Sequence, residues 1–310
     1  PPQRPDSPPP PQRPDSPPQR RPSKNSIPES PIRSLICVPK SAQLTDPPQG
    51  WSSIADFEEI NASEWEKYYT LRYWFHQIQV NIDDIAPFKW LTFIRGYAYA
   101  SKEEIFVRLN NSITNSKTSI SSIDLDKLVM MDELCPSSVI GFDEYSHPVI
   151  IEKYAYKHSK ELLSLSEDDF MLCACTRKDV QNLYLNALST SKNKRLYKVV
   201  TVLDIENMDR GHLSKAFINR FKVFNKYFSD VYPESTQKMI IINAPRIFTI
   251  LWSIIKIFIN PVTVKKVSVI GKDHSEAFKG ICFTNGFHLN NKKISGNIVT
   301  WEQEYKKLES

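Results

Sequence analysis

A hydroxyl and a cation follow a helix-start signal near the carboxyl end of the chain. Asn260 and Pro261 are typical of an N-cap and of the first helical position. Thr263 and Lys266, three residues apart, then lie on one face of the new helix. Free N–H groups at a helix start favour phosphate, so a phosphate-binding patch is one interpretation. A capped helix with a solvated lysine is the other, and these residues alone do not separate the two.

An unusually apolar segment, residues 246–259, precedes this turn. Its polar residues form one narrow stripe on a helix: Arg246, Thr249, Ser253 and Lys256. The segment is shorter than the roughly 20 residues that cross a bilayer, and Pro245 and Pro261 bracket it, which disfavours a transmembrane helix. Two interpretations remain. It is a central core helix, or it covers an apolar cavity and touches lipid when it opens.

The motifs of common enzyme and metal sites are missing from the sequence. No two glycines lie closer than six residues apart, which excludes a GxGxxG loop and a P-loop. No two histidines lie closer than eleven residues apart, which excludes HExxH, and GxSxG is also missing. Cys173 and Cys175 have the wrong spacing for a zinc knuckle, and Asp204 has no partner motif. We therefore predict no catalytic residue, metal or cofactor, and a protein that is not an enzyme.

The prolines are concentrated at the start of the chain. Of 22 prolines, 13 lie within residues 1–31, and residues 1–9 and 10–18 both read PPQRPDSPP. Such a segment prefers extended polyproline II and has no apolar side chains to bury. Residues 1–50 are therefore predicted to be a disordered tail and linker. The alternative is that residues 1–32 dock to a polyproline-reading protein.

The charge of the chain is modest and uneven. The formal net charge is +5, and +3 of it belongs to the first 35 residues, so the body is close to neutral. This balance argues against a nucleic-acid partner and permits contact with an anionic membrane surface. Five scattered cysteines do not indicate a disulfide framework, and no signal peptide opens the chain. We predict a cytoplasmic monomer that associates transiently with membranes.

The apolar pattern predicts an α/β fold. Residues 51–115 have helical spacing, with Ser63 as a helix cap, and residues 116–147 are predicted to be rich in loops. Four runs are predicted as strands: residues 148–152, 198–205, 239–242 and 267–270. Two helical segments separate the last three runs: residues 214–229 and 246–259. This alternation predicts parallel strands joined by helical crossovers.

The segments around the apolar helix match a known pattern. Residues 232–245 read YPESTQKMIIINAP, and residues 260–271 read NPVTVKKVSVIG. This block resembles the CRAL-TRIO lipid-binding domain, and in particular its branch of phosphatidylinositol/phosphatidylcholine transfer proteins. Three further segments resemble the family's other strands and its helical lobe: VVTVLDIENM at 199–208, HPVIIE at 147–152 and FIRGYAYASKEE at 93–104.

The resemblance implies an architecture. A helical N-terminal lobe, residues 51–125, precedes a domain over residues 126–290, and residues 291–310 form a C-terminal extension. Within the domain, a mainly parallel β-sheet forms the floor, and helices enclose a hydrophobic lipid pocket.

The resemblance also implies roles for individual residues. In phosphoinositide-binding members, the positions that match Glu234, Thr263 and Lys266 contact the inositol phosphate headgroup. The helix that matches residues 246–259 is the gate at the membrane. The pocket and gate residues are then Thr201, Phe248, Leu251, Trp252, Ile255 and Phe258.

The sequence departs from the family pattern at defined places. Tyr97-Ala98 stands where the family has a basic pair. Val139 and Ile150 stand where two tyrosines help to hold phosphatidylcholine, and Val199 replaces a serine, whereas Thr201 is retained. The loss of the basic pair removes part of the family's inositol phosphate site, whereas the other changes disfavour phosphatidylcholine, so phosphatidylinositol is the predicted ligand.

We therefore predict that the chain binds one phospholipid molecule, phosphatidylinositol, in a gated apolar pocket and exchanges it between membranes. One alternative is a lipid-gated scaffold without net transfer activity. The other is a binder of a different small hydrophobic ligand.

Overall fold

The computed structural model describes residues 60–80, 87–114, 123–154, 158–192, 194–271 and 273–309. The Pro-rich repeats and the rest of the predicted tail lie outside these residues, as do the first nine residues of the predicted helical lobe. The domain boundaries stay predictions. The helices and strands belong to these described residues.

Three helices form the N-terminal lobe, and aromatic side chains hold them together. They are α1 (Ala62–Gln77), α2 (Pro87–Gly96) and α3 (Lys102–Thr114). Trp90 of α2 meets Phe75 of α1 edge-on, with 5.5 Å between ring centroids, and Phe106 of α3 lies 4.5 Å from Phe75. The predicted cap of α1 is wrong. Asn61 caps this helix, because its side chain accepts from the Glu64 N–H while Glu64 accepts from the Asn61 N–H.

A six-stranded sheet forms the floor of the rest of the described chain. Its order is β5-β4-β3-β2-β1-β6. The strands β2, β3, β4 and β5 run parallel to one another, and β1 is antiparallel to both β2 and β6. The strands are β1 (Ser137–Phe142), β2 (Pro148–Glu152), β3 (Val199–Asp204), β4 (Thr236–Ile242), β5 (Val267–Val269) and β6 (Cys282–Phe283). A small hairpin follows, made of β7 (His288–Asn290) and β8 (Lys293–Ser295). The predicted mainly parallel α/β arrangement is confirmed.

Helices connect the strands and cover one side of the sheet. Along the chain, α4 (Leu125–Leu134) follows the lobe and precedes β1. The crossovers contain α5 (Ser159–Ser164), α6 (Glu167–Lys192), α7 (Lys215–Val231), α8 (Ile247–Ile255) and α9 (Pro261–Lys265), and α10 (Trp301–Glu309) ends the described chain.

The two sides of the sheet bury different segments of the chain. Alternate side chains, such as Val200, Val202 and Ile240, pack with Phe278 and Phe287 of the C-terminal segment. We call this side the C-terminal face. The other side, which we call the helix face, includes Ile150 and Val199 beneath α6, and Ile241 beneath α8. The sheet is therefore covered on both sides, as parallel sheets require.

The loop-rich prediction for residues 116–147 is wrong at residues 125–134 and 137–142, where α4 and β1 lie. The strand β1 was missed because its signal is weak in the sequence SSVIGF. Ser137 and Ser138 are nevertheless fully buried. Ser137 Oγ accepts from Trp301 Nε1 at 3.0 Å, and Ser138 Oγ accepts from the Val299 N–H at 3.1 Å. These distant partners satisfy the buried hydroxyls.

A buried ion pair fastens α10 to the domain. Arg177 Nη2 of α6 lies 2.7 Å from Asp132 Oδ1 of α4, and both side chains are almost completely buried. The other oxygen of Asp132 accepts from the Trp301 and Glu302 N–H groups, at 2.9 and 3.3 Å, so it caps α10. Burial raises the pKa of Asp132, against the lowering effect of Arg177. The predicted C-terminal extension thus includes a helix that packs into the core.

Removal of Asp132 tests this arrangement. Asp132→Ala should lower the free energy of unfolding by about 3–5 kcal/mol, because it leaves a buried guanidinium without its partner. Urea unfolding followed by circular dichroism measures the change. The matched control is Glu104→Ala, which removes the exposed Glu104–Arg108 pair and should cost about 0–1 kcal/mol. Equal effects of the two substitutions would contradict the assigned role of Asp132.

Candidate functional site

The predicted headgroup residues lie at the edge of the sheet where β3, β4 and β5 begin. Glu234 stands in the turn between α7 and β4, with a left-handed backbone (φ +55°). Lys266 ends α9 and directly precedes β5. Because β4 and β5 are parallel neighbours, the two starting points lie side by side. The Met239 N–H donates to the Lys266 carbonyl at 3.0 Å and fixes this register.

Glu234 and Lys266 contact each other directly. Lys266 Nζ lies 3.3 Å from Glu234 Oε1 and donates to the Thr236 carbonyl at 2.9 Å. A second lysine, Lys198, approaches the same carboxylate oxygen at 2.6 Å. Partial burial opposes ionisation of Glu234, but Lys198 and then Lys266 outweigh it, so the pKa of Glu234 lies below its usual value. The site therefore presents one carboxylate and two cations.

Lys198 was not among the predicted site residues. It directly precedes β3, as Lys266 directly precedes β5. A signal was available in the sequence, because parallel strands that are neighbours bring their starting points to one edge. Lys198 contacts Glu234 because β3 pairs with β4 in the sheet, which the sequence does not show directly.

Thr263 stands apart from the ion pair. Asn260 caps α9 and accepts from the Val262 N–H at 2.9 Å, with Pro261 at the helix start, as predicted. The Lys266 N–H donates to the Thr263 carbonyl at 2.9 Å, so the two residues are one helical turn apart. Within the described residues, the Thr263 hydroxyl has no hydrogen bond to Glu234 or Lys266. The structure thus brings two of the three predicted headgroup residues together.

The helical lobe reaches the same edge of the sheet through Arg95. Its guanidinium donates from Nη1 to Tyr197 Oη at 2.7 Å and from Nε to Glu64 Oε1 at 2.8 Å. It also lies over the Tyr197 ring, 5.7 Å from the centroid. Gly96 lets the lobe approach closely, since a Cβ there would lie 3.0 Å from Pro233 Cβ. Arg95 therefore connects the lobe to the residue next to Lys198.

A different basic residue accompanies Tyr97, which stands where the family has a basic pair. The guanidinium of Arg108, on α3, lies over the Tyr97 ring at 4.5 Å. The Tyr97 hydroxyl donates to the Ser229 carbonyl at 3.2 Å. Both side chains border a cleft of about 490 Å³ between α3 and α7. Tyr97 is thus used for packing between the lobe and α7.

The predicted gate segment consists of two kinds of helix. The α-helix α8 covers Ile247–Ile255, and a short 3-10 turn continues over Lys256–Phe258. The hydroxyls of the polar stripe bond to the helix itself, with Thr249 donating to the Arg246 carbonyl and Ser253 to the Ile250 carbonyl. These hydroxyls are satisfied without any partner outside the helix.

The two sides of the gate segment meet different surroundings. Phe248, Leu251 and Ile255 are buried. Ile250 and Ile257 are 53% and 71% exposed. Trp252 stacks on Phe248 at 5.9 Å, and Phe258 lies beneath the ammonium group of Lys222 at 4.2 Å. The segment is therefore apolar towards the core, and its solvent side carries Ile250 and Ile257 beside the exposed polar stripe.

Side chains fill the space beneath α8 in this conformation. Leu251 and Ile255 pack against Phe170 and Phe217, while Phe248 packs on Ile241 of the sheet. A cavity of about 10 Å³ adjoins these packed side chains. It is bordered by Tyr154, Leu162, Phe170, Phe217, Arg220, Phe221 and Phe224. A phospholipid can occupy this place only if α8 and its neighbours move apart.

The interior also contains polar groups. Thr201 is 9% exposed, and its alternation with Val200 and Val202 places it on the helix face. Lys178 of α6 is 8% exposed, and burial lowers its pKa to about 8 against the raising effects of Glu152 and Asp179. The space between α6 and the sheet is therefore not wholly apolar.

In the described residues, no group of three or more His, Cys, Asp or Glu side chains is arranged to hold a metal ion. No helix in this part of the chain is both long enough and apolar enough to cross a membrane.

Relatives of the chain point to one family. The phosphatidylinositol/phosphatidylcholine transfer protein SFH12 of Arabidopsis thaliana is 26% identical over 159 residues, which are 51% of this chain and 29% of the relative. SFH7 of the same plant, with the same descriptive name, is 23% identical over 236 residues, which are 72% of this chain and 42% of the relative. The chain thus spans less than half the length of these curated relatives.

The fold and the domain match agree with these relatives. The crystal structure of Sfh5 superimposes with a TM-score of 0.51 and 16% identity, over 71% of this chain and 84% of that one. Residues 135–281 match the CRAL/TRIO domain. The predicted resemblance to the CRAL-TRIO domain is therefore confirmed.

Proposed function

We propose that this chain binds a single phospholipid, phosphatidylinositol, between α8 and the helix face of the sheet, and exchanges it between membranes. The observation that carries the proposal is that the gate segment buries an apolar inner side and exposes two isoleucines on its outer side. Phe248 packs on the sheet, Leu251 and Ile255 pack on neighbouring helices, and Ile250 and Ile257 are exposed. The names of the Arabidopsis relatives point to the same activity.

The energetics of lipid transport explain why such a segment is useful. Exposure of acyl chains to water costs about 0.8 kcal/mol for each CH₂, so about thirty of them would cost on the order of 24 kcal/mol. The carrier must replace the bilayer almost completely. If α8 moves away from the sheet, Phe248, Leu251 and Ile255 exchange side-chain contacts for acyl-chain contacts. Their apolar surface then stays out of water, so the movement of α8 costs little free energy when lipid enters.

The exposed apolar residues supply the contact with the membrane. Ile250, Ile257 and Val262 are more than half exposed and lie on consecutive segments of the chain. Lys256 and Lys265 belong to the same segments and favour an anionic lipid surface. We propose that this surface enters the headgroup region transiently and that the protein otherwise remains in the cytoplasm.

The proposed ligand follows from the polar groups at the sheet edge. Glu234 can accept hydrogen bonds from inositol hydroxyls, and Lys266 and Lys198 can donate to the phosphate. Val139, Ile150 and Val199 lie in one buried apolar cluster, so these positions offer no side-chain hydrogen-bond donor to phosphatidylcholine. Thr263 remains a proposed headgroup residue. The proposal requires no cofactor, metal or catalytic step.

A second function has one observation in its favour. The nine-residue repeat at positions 1–9 and 10–18 suits docking to a polyproline-reading protein. The chain would then act as a lipid-gated scaffold that binds lipid without exchanging it.

Exchange between vesicles separates the two functions. Donor vesicles contain fluorescent phosphatidylinositol in phosphatidylcholine, and acceptor vesicles contain phosphatidylcholine alone. We expect the protein to accelerate the movement of the fluorescent lipid, and to move fluorescent phosphatidylcholine more slowly. If the purified protein carries lipid but accelerates the movement of neither fluorescent lipid between vesicles, the transfer proposal is contradicted and the scaffold is favoured.

Replacement of Lys266 tests the headgroup site. Lys266→Ala should weaken phosphatidylinositol loading at least tenfold, because a charge-assisted hydrogen bond worth about 1.5–3 kcal/mol is lost. Mass spectrometry of the lipid retained after incubation with mixed vesicles measures loading. The control is Lys215→Ala, which removes an exposed lysine at the start of α7. Loading that is equal in both variants would contradict the assigned site.

Replacement of residues on the two sides of the gate segment separates membrane contact from packing. Ile257→Asp should leave the unfolding free energy nearly unchanged but slow exchange about tenfold, because about 1.5 kcal/mol of apolar insertion is lost. Leu251→Ala should instead cost about 2–5 kcal/mol of stability, since Leu251 is 2% exposed. If Ile257→Asp exchanges lipid as fast as the unaltered chain, this surface does not contact the membrane.

A further inference from the structure

A basic cleft lies on the C-terminal face of the sheet, the side opposite α8. Its volume is about 650 Å³, which is in the range of small-molecule sites. Val200 and Ile240 form its floor, and both belong to the apolar cluster of that face. Its charged residues are Lys238, Lys265, Lys266, Lys279, Asp143 and Glu144.

An irregularity in β4 aims two neighbouring polar side chains into this cleft. Val199 pairs with Thr236 and Val200 pairs with Lys238, so Gln237 has no partner on β3. In a regular strand, Gln237 and Lys238 would point to opposite sides of the sheet. The extra residue bends the strand, and both side chains line the cleft. Ser268, which pairs with Ile240, adds a hydroxyl from β5.

The lining of the cleft carries more positive than negative charge. Lys238, Lys265 and Lys279 are exposed and have no ion pair within the described part of the chain. The acidic residues of the lining are Glu144, which is exposed, and Asp143, whose oxygens accept from two backbone N–H groups while one lies 3.0 Å from His147 Nδ1. The four lysines of the lining thus outnumber its two carboxylates, which makes the local potential positive.

We propose that this cleft binds a small molecule that carries several phosphates. The lysines neutralise separate phosphate groups, and Gln237 and Ser268 donate hydrogen bonds between them. The limited volume and the near-neutral body of the chain favour a compact anion over a nucleic acid. The ligand is a soluble polyphosphate or the phosphorylated headgroup of a membrane lipid, since both present the same groups.

The cleft is separate from the proposed lipid pocket but adjoins the headgroup site. The sheet lies between the cleft and α8, because Val200 and Ile240 face one side and Ile241 faces the other. Lys266 lines the cleft and also contacts Glu234 at 3.3 Å. The test therefore leaves Lys266 unaltered.

Calorimetric titration of the full chain with inositol hexakisphosphate tests the proposal. We expect saturable binding at one site, and at least tenfold weaker binding by the variant Lys238→Gln/Lys279→Gln. The matched control, Lys160→Gln/Lys215→Gln, changes the net charge equally at exposed lysines of α5 and α7. Absence of binding, or equal weakening in both variants, overturns the proposal. Urea unfolding checks that the variants are folded.

A second arm identifies the source of the phosphates. Sedimentation uses phosphatidylcholine vesicles that contain phosphatidylinositol bisphosphate. Two results together would show that the site takes a lipid headgroup. The Lys238→Gln/Lys279→Gln variant no longer binds the vesicles, and inositol hexakisphosphate displaces the unaltered chain from them. If only the soluble compound binds, the site takes a soluble polyphosphate. In both cases, exchange of phosphatidylinositol by the double variant should be unchanged, so failure here is distinguishable from failure of the proposed lipid transfer.

Discussion

Parallel pairing of β3, β4 and β5 is the constraint on which the site and the gate both depend. Each parallel strand must be followed by a crossover before the next strand can begin, and here the crossovers contain α7 and then α8 with α9. This connectivity brings the starts of the three strands to one edge. Lys198, Glu234 and Lys266, which are 36 and 32 residues apart along the chain, meet there within 3.3 Å. The same crossovers lay α8 over the helix face of the sheet.

The arrangement also separates two kinds of chemistry. The helix face and the inner side of α8 form an apolar space in which an acyl chain can replace side chains without exposing them to water. The edge of the sheet carries the charged groups, and they remain partly exposed. Glu234 keeps its negative charge because Lys198 and Lys266 outweigh the effect of partial burial on its pKa. A ligand with an apolar body and a polar, phosphorylated end matches this division.

Stability depends on buried charge as well as on apolar packing. Asp132 joins α4, α6 and α10 through one carboxylate that serves a guanidinium and two N–H groups. Lys178 of α6 is also buried, and burial lowers its pKa to about 8. Below that pH the folded chain must bury an ammonium group, so this residue destabilises the fold there. As the pH rises from about 8 towards the ordinary lysine value, this cost disappears, since the unfolded chain then binds more protons.

The features that the sequence alone determined are local ones. The apolar helix, the Asn260 cap with Pro261, and the four predicted strands depend on side-chain periodicity and on hydrogen bonds within a few residues. They are therefore visible in a short stretch of chain. The resemblance to CRAL-TRIO domains added Glu234 and Lys266 as predicted headgroup residues, and the structure places their side chains 3.3 Å apart.

Tertiary structure decided the features that depend on partners far away in the chain. The strand β1 was missed because its serines are satisfied by residues 299 and 301, and the long helix α6 was missed because charged residues interrupt its buried face. Lys198 entered the site only through its neighbours in the sheet. Whether the space beneath α8 is open or filled is likewise a property of packing, because the same apolar side chains can face a lipid or one another.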